Sequence, residues 1–137
     1  MTAQLHPTLT EMQAVPIFDF LGMRFSDWGE GWAEVTMLAG PGNQNLYGIV
    51  HGGAWLVVAD STMGGAFATV CAPDERIITG QLDFRWLRPL DGDRIVARGT
   101  VIRRGRTLSH AKVELFDAAG RQIAAGSGTY VIQPPAS

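Results

Sequence analysis

Residues 45–69 read NLYGIVHGGAWLVVADSTMGGAFAT. After the His51-Gly52-Gly53 turn the run is apolar on nearly every side: Ala54, Trp55, Leu56, Val57, Val58 and Ala59, then Met63 to Ala68. Asp60 is its one charge. The pattern predicts a helix from about Gly53 to Val70 that ends before Pro73. A helix with almost no polar face is buried on all sides. In a chain of 137 residues, a strongly curved sheet wrapped around the helix achieves that. Gly64 and Gly65 each cost a helix interior about 1 kcal/mol relative to alanine, and they fit where another backbone or a ligand comes close.

The flanking sequence supplies such a sheet. Trp32 to Leu38 alternates, with Ala33, Val35 and Met37 on one face, as a strand does. AGPGNQN (residues 39–45) has loop chemistry. Downstream, Thr79 to Leu87 alternates with Leu82, Phe84 and Trp86 facing one way. Arg94 to Ile102 is rich in Val and Ile, Leu108 to Phe116 alternates through Ala111, Val113 and Leu115, and Ile123 to Ile132 closes the series. PLDGD (89–93), RGR (104–106) and DAAG (117–120) are turn signals. These strands are therefore predicted to follow one another as antiparallel hairpins in a meander. Residues 1–22 form short helical pieces interrupted at Pro16. The expectation is one α+β domain over residues 1–137, a long central helix wrapped by a curved antiparallel sheet.

The bulk composition narrows the function. A net charge of −2 and no Lys/Arg block give no electrostatic case for nucleic acid or an anionic membrane. No apolar stretch reaches the roughly 18 residues of a membrane span. MTAQLHPTLTEM lacks the basic start and apolar centre of a secretory signal, so a cytoplasmic location is expected. Cys71 is the only cysteine. It excludes an intrachain disulfide and, with no adjacent His, reads as a small core residue rather than a nucleophile. The three His and the acids show no metal-ligand spacing, so no metal is expected.

Asp60 then needs a reason. A carboxylate in apolar surroundings is costly unless hydrogen-bonded or paired. One reading puts it on a solvated sliver beside Ser61 and Thr62; the other makes it face a cleft and act on water or a substrate. The glycines favour the second. At Gly52 and Gly53 the first N–H groups of the helix lack intrahelical partners and the macrodipole is positive, which suits a carbonyl oxygen becoming an oxyanion. His51 reads either as a general base or as a residue bonded to the backbone of a tight turn. Gly52 and Asp60 lie about 12 Å apart along a helix rising about 1.5 Å per residue. A reacting carbon must sit within about 3–4 Å of both. Two antiparallel helices from two subunits would satisfy that distance twice by two-fold symmetry. A dimer with shared sites is the expectation.

These residues carry a resemblance. Asn45, Gly48, His51-Gly52-Gly53 and Asp60, then Phe84-Arg85-Trp86-Leu87-Arg88-Pro89, Gly105-Arg106 and the strand after Gly120 resemble the hotdog-fold acyl-CoA thioesterases, in the branch of the phenylacetate-pathway and 4-hydroxybenzoyl-CoA thioesterases. The likeness covers about residues 20 to 132. It implies that the Gly52 N–H polarises a thioester carbonyl and that Asp60 is nucleophile or general base. It also implies that Asn45 orients substrate or water, and that His51 and Gly53 complete the substrate-binding turn. Some members have a hydroxyl where Thr79 stands, holding the attacking water; others have Thr one turn after the acid, where this chain has Gly64. The segment Arg103, Arg104, Gly105, Arg106 and Thr107 matches one that meets the CoA nucleotide. Its alternative reading is a solvated turn. The closing QPPAS lacks the basic residue some relatives place there for the CoA phosphates.

The resemblance thus implies hydrolysis of an acyl-CoA to acid and CoA, with no cofactor beyond the CoA of the substrate itself. It further implies a homodimer, or a homotetramer built from dimers. Two other classes compete: a hotdog dehydratase or hydratase, and a non-catalytic acyl-CoA-binding module. Tyr47, Trp55 and Phe67 are candidates to line an aromatic acyl pocket, or else to be core.

Overall fold

The computed structural model describes residues 4–135. Its central helix, α3, runs Gly52–Ala68. His51 caps it, the ring Nδ1 accepting the Gly53 N–H at 2.8 Å. At the other end Thr69 Oγ1 donates to the Ala66 carbonyl at 2.7 Å and accepts the Gly31 N–H at 2.8 Å. Two glycines and several β-branched residues make α3 a poor helix by propensity alone. Tertiary burial holds it: Ala54, Trp55, Val58, Ala59 and everything from Thr62 to Ala68 is buried.

Six strands curve around α3: β1 (Met23–Gly29), β2 (Trp32–Leu38), β3 (Arg76–Trp86), β4 (Arg94–Arg103), β5 (Leu108–Phe116) and β6 (Gln122–Gln133). All pairings are antiparallel, in the spatial order β1-β2-β4-β5-β6-β3. The alternation predicted for β2 holds, with Ala33, Val35 and Met37 fully buried beneath the helix. Ile95 and Ala97 of β4, then Ala111, Val113 and Leu115 of β5, continue that inner face. At Gly99 a Cβ would stand 3.0 Å from the Thr62 carbonyl carbon, so the helix backbone rests directly on the strand.

Two expectations need correction. The strands after α3 are not a simple meander, because β3 pairs with β6 and not with β4. PLDGD is therefore not a hairpin turn. Residues 87–93 carry the chain across the ends of two strands, a gap of about 14 Å at the usual strand spacing and well within the reach of seven residues. Nor is α3 covered on all sides by its own chain. Gly52, Gly53, Leu56, Val57, Asp60 and Ser61 are only half-buried, and their i, i+1, i+4, i+5 spacing makes them one stripe. Next to that stripe lies β3, a sheet edge with no buried residue.

The N-terminal pieces are α1 (Pro7–Gln13) and α2 (Pro16–Leu21). Pro16 begins the second rather than merely breaking the first, as suits a residue with φ already set for a first turn. α1 inserts Leu9 into the core and lays Met12 across α3 near Gly64. Gly65 makes room for the Phe25 ring, which a Cβ would meet at 2.4 Å. Its close neighbour is thus a side chain, not a backbone or a ligand. Among the described residues no helix is long and apolar enough to cross a membrane.

Candidate active site

Asp60 lies on the half-buried stripe of α3, and two hydroxyls converge on one of its oxygens. Thr79 Oγ1 donates to Oδ1 at 2.9 Å. The Tyr130 hydroxyl donates to the same atom at 2.8 Å and lies 3.3 Å from the Asp60 carbonyl. The β3–β6 register sets this up by pairing Thr79 directly with Tyr130, and a bulge beside Thr79 locally bends the edge strand. Oδ2 has no partner among the described residues. Burial first, then the Asp60 charge, pushes the Tyr130 phenol well above its usual range. Tyr130 thus stays a proton donor at any physiological pH.

A hollow of about 310 Å³ opens at the carboxylate. Thr8 and Met12 come from α1, Gly64 from α3, Ile77 from β3 and Tyr130 from β6. Gly64 presents bare backbone to the hollow, and a Cβ there would stand 3.7 Å from Met12 Cε. The aromatic lining expected from Trp55 and Phe67 is not there: both are buried in the core, while Tyr47 is 77% exposed on a loop. Their side chains pack the helix or face solvent, as aromatic residues at helical spacing commonly do.

The other end of α3 holds the remaining predicted residues. Gly52 is the first helical residue, and its N–H has no acceptor among the described residues. The Gly53 N–H is occupied by His51 Nδ1, so His51 is a cap, as the backbone-bonding alternative anticipates. Asn45 Oδ1 accepts the Tyr47 N–H at 2.9 Å and the Ile49 N–H at 3.4 Å, tying its own loop. The Trp86 indole lies over this end, with Nε1 3.8 Å from where a Gly52 Cβ would be. Neither Gly52 nor Asn45 lines the hollow at Asp60. A single chain thus brings Asp60 and Thr79 together but leaves the N–H donor about two helical turns away.

At the β4–β5 hairpin, Arg104 is already engaged. It pairs with Glu75 at 2.6 Å and donates to the Gly105 carbonyl at 2.7 Å. Gly105 is buried and gives its N–H to Ser109 Oγ at 3.0 Å. Arg103, Arg106 and Thr107 are exposed, and neither of those two arginines forms an ion pair among the described residues. Cys71 is half-buried, and burial pushes its thiol up, away from nucleophilic chemistry. Among the described residues no three His, Cys, Asp or Glu side chains gather as metal ligands.

Tyr130 is the site residue that sequence reasoning missed. In IAAGSGTYVIQ it looks like one more inward-facing core residue, and only the register with Thr79 shows its hydroxyl reaching Asp60.

Comparison with known proteins agrees with this architecture. The thioesterase superfamily profile matches residues 47–124, more than half of the chain. The 1,4-dihydroxy-2-naphthoyl-CoA hydrolase of Escherichia coli is 27% identical over 103 residues, covering 74% of this chain and 75% of that protein. A thioesterase family protein from Silicibacter pomeroyi superposes with a TM-score of 0.85 at 25% identity, over 92% of this chain and 96% of its own. The Escherichia coli PaaI protein of the phenylacetic acid degradation operon does so with a TM-score of 0.81 at 20% identity, over 92% and 90%. With a helix wrapped by a curved six-stranded sheet and the profile spanning the His-Gly-Gly turn, Asp60 and β3 to β5, the chain belongs to the thioesterase superfamily, as a hotdog-fold enzyme that hydrolyses thioesters.

Proposed function

We propose that the chain acts as a single domain over residues 1–137 that hydrolyses acyl-CoA to free acid and CoA, at sites shared between two copies in the cytoplasm. The observation that carries this reading is the placement of Asp60 and Gly52 on one uncovered stripe of α3, with Oδ1 of the acid held by two hydroxyls and Oδ2 free. The chain exposes Leu46, Ile49, Trp86 and Leu87, and Trp86 lies against the Gly52 end of that stripe. An unpaired strand edge and apolar side chains in such number favour a second copy as the cover. A C2 partner sets its own Gly52 opposite Asp60. The E. coli hydrolase similar in sequence is named for a CoA ester, which supports CoA as the leaving thiol.

In this site the Gly52 N–H and the helix dipole polarise the thioester carbonyl, and Asn45 orients substrate or water through its free amide. Asp60 acts through Oδ2 in one of two ways. As a base it takes a proton from water while the water oxygen attacks the carbonyl carbon. As a nucleophile it forms a mixed anhydride that water then cleaves. Either way the C–S bond breaks, CoA leaves as thiolate and collects the proton, and the acid is released. No cofactor is required. Arg103 and Arg106 meet the CoA phosphates.

Release of free thiol from acyl-CoA esters tests this directly. Loss of an enoyl-CoA chromophore without thiol release would favour a dehydratase or hydratase, and tight binding without turnover a binding module. Replacing Arg103 and Arg106 together by Ala should raise KM for CoA esters by roughly 3- to 10-fold, leaving a thioester truncated before the nucleotide unaffected, because guanidinium–phosphate pairs contribute uniform binding. An equal effect on KM for both substrates would make these arginines surface charges only.

Tyr130→Phe should lower kcat by about 10-fold with KM nearly unchanged, the hydroxyl acting on the carboxylate rather than on substrate. The ring remains packed on Phe67 at 5.0 Å, so the fold should persist. An unchanged kcat in the folded variant would show that Asp60 is held without Tyr130.

A further inference from the structure

We infer that the hollow between α1 and Asp60 receives the acyl group and limits its size, with Gly64 and Met12 as the residues that set the limit. The inference rests on the reading of Asp60 as the acting carboxylate and adds which end of the substrate enters the hollow and what fits. Among the described residues no Lys, Arg or His lines the hollow, so these offer nothing to the phosphates of a CoA nucleotide. The unpaired cations Arg103 and Arg106 belong to the β4–β5 hairpin instead. The hydroxyls of Thr79 and Tyr130 are both turned to Asp60, which leaves Met12, Ile77 and the bare backbone of Gly64, with Thr8 and Ser61 beside them, as the surface a ligand meets. That surface is uncharged apart from Asp60 and mostly apolar, which suits an acyl chain or ring.

Volume narrows the class. An apolar cavity of about 150 Å³ holds benzene. The hollow, at about 310 Å³, is roughly twice that and lies at the low end of small-molecule sites. It fits a one-ring acyl group or a short chain of similar bulk. Gly64 is the floor: a Cβ there would stand 3.7 Å from Met12 Cε, already in van der Waals contact. Any larger side chain must occupy the hollow or displace Met12. Met12 belongs to α1, outside the residues 47–124 that match the superfamily, whereas Gly64 lies within them.

The experiment compares acetyl-, benzoyl- and palmitoyl-CoA as substrates of wild type, Gly64→Val, Met12→Ala and the double variant, with thermal melts as a check on folding. Wild type should favour benzoyl- over palmitoyl-CoA by at least about 10-fold in kcat/KM, a modest ratio for a pocket that rejects by size. Gly64→Val should lose on the order of 10-fold or more on benzoyl-CoA while acetyl-CoA stays within about 2-fold. Met12→Ala added to Gly64→Val should restore benzoyl-CoA, and alone it should improve longer chains. If Gly64→Val lowers benzoyl- and acetyl-CoA equally in a folded protein and Met12→Ala restores neither, the acyl group lies elsewhere. A wild-type preference for palmitoyl-CoA would also overturn the inference. Failure of the underlying reading looks different: Asp60→Asn would then keep its turnover on all three esters.

Discussion

Asp60→Asn chains should fold as the wild type does and lose thioester hydrolysis by on the order of 10²-fold or more, the usual worth of a positioned base. The substitution is nearly isosteric. An amide oxygen at the Oδ1 position still accepts from Thr79 and Tyr130, whose bonds of 2.9 and 2.8 Å fix that side of the group. What changes is the free side, where Oδ2 becomes an NH2 that can neither take a proton from water nor attack a carbonyl carbon. Asp60 also sits among apolar neighbours on α3, so replacing a carboxylate by a neutral amide removes a desolvation cost while keeping the hydrogen bonds. The melting temperature should hold or rise slightly while thiol release collapses. A folded Asp60→Asn protein with turnover close to wild type would remove Asp60 from the chemistry.

The sequence carried the acid plainly because physical chemistry makes it conspicuous: one charge in an apolar run demands a partner or a purpose. The glycines of the helix start were legible for a similar reason, since a first turn always has N–H groups to give. Strands such as β2 were legible because alternation encodes which face is buried. Alternation does not encode which strand lies alongside, and that is where the expectation failed. Turn residues in PLDGD promised a hairpin, yet β3 lies beside β6, with two strands between it and β4. The Tyr130–Asp60 bond depends on that same pairing, so it could not be read earlier. β1 escaped because a register shift between Phe25 and Asp27 interrupts its alternation. The engagement of Arg104 by Glu75 spans 29 residues, and nothing local in either segment announces it.

Chains carrying Asp60→Asn and chains carrying Gly52→Pro, each inactive alone, should restore activity when dissociated and reassembled together. Gly52→Pro is a clean lesion here. Gly52 is the first residue of α3, where proline is favoured. His51 before it already has φ −59 and ψ 136, the extended conformation that a following proline requires. The space at Gly52 also admits a ring, the nearest atom to a Cβ being Trp86 Nε1 at 3.8 Å. The change therefore deletes the N–H and little else, at an expected loss of about 10²–10³-fold for one oxyanion donor. If each site joins Asp60 of one copy to Gly52 of the other, a mixed dimer carries both lesions in one site and neither in the second. Random pairing of equal amounts makes half the dimers mixed, so activity should return to roughly a quarter of wild type, in proportion to intact sites. Assembly of dimers into tetramers leaves that fraction unchanged when sites work independently. Subunit exchange demonstrated by mass, with no recovery of thiol release, would put the donor and the acid in one chain despite the two helical turns between them.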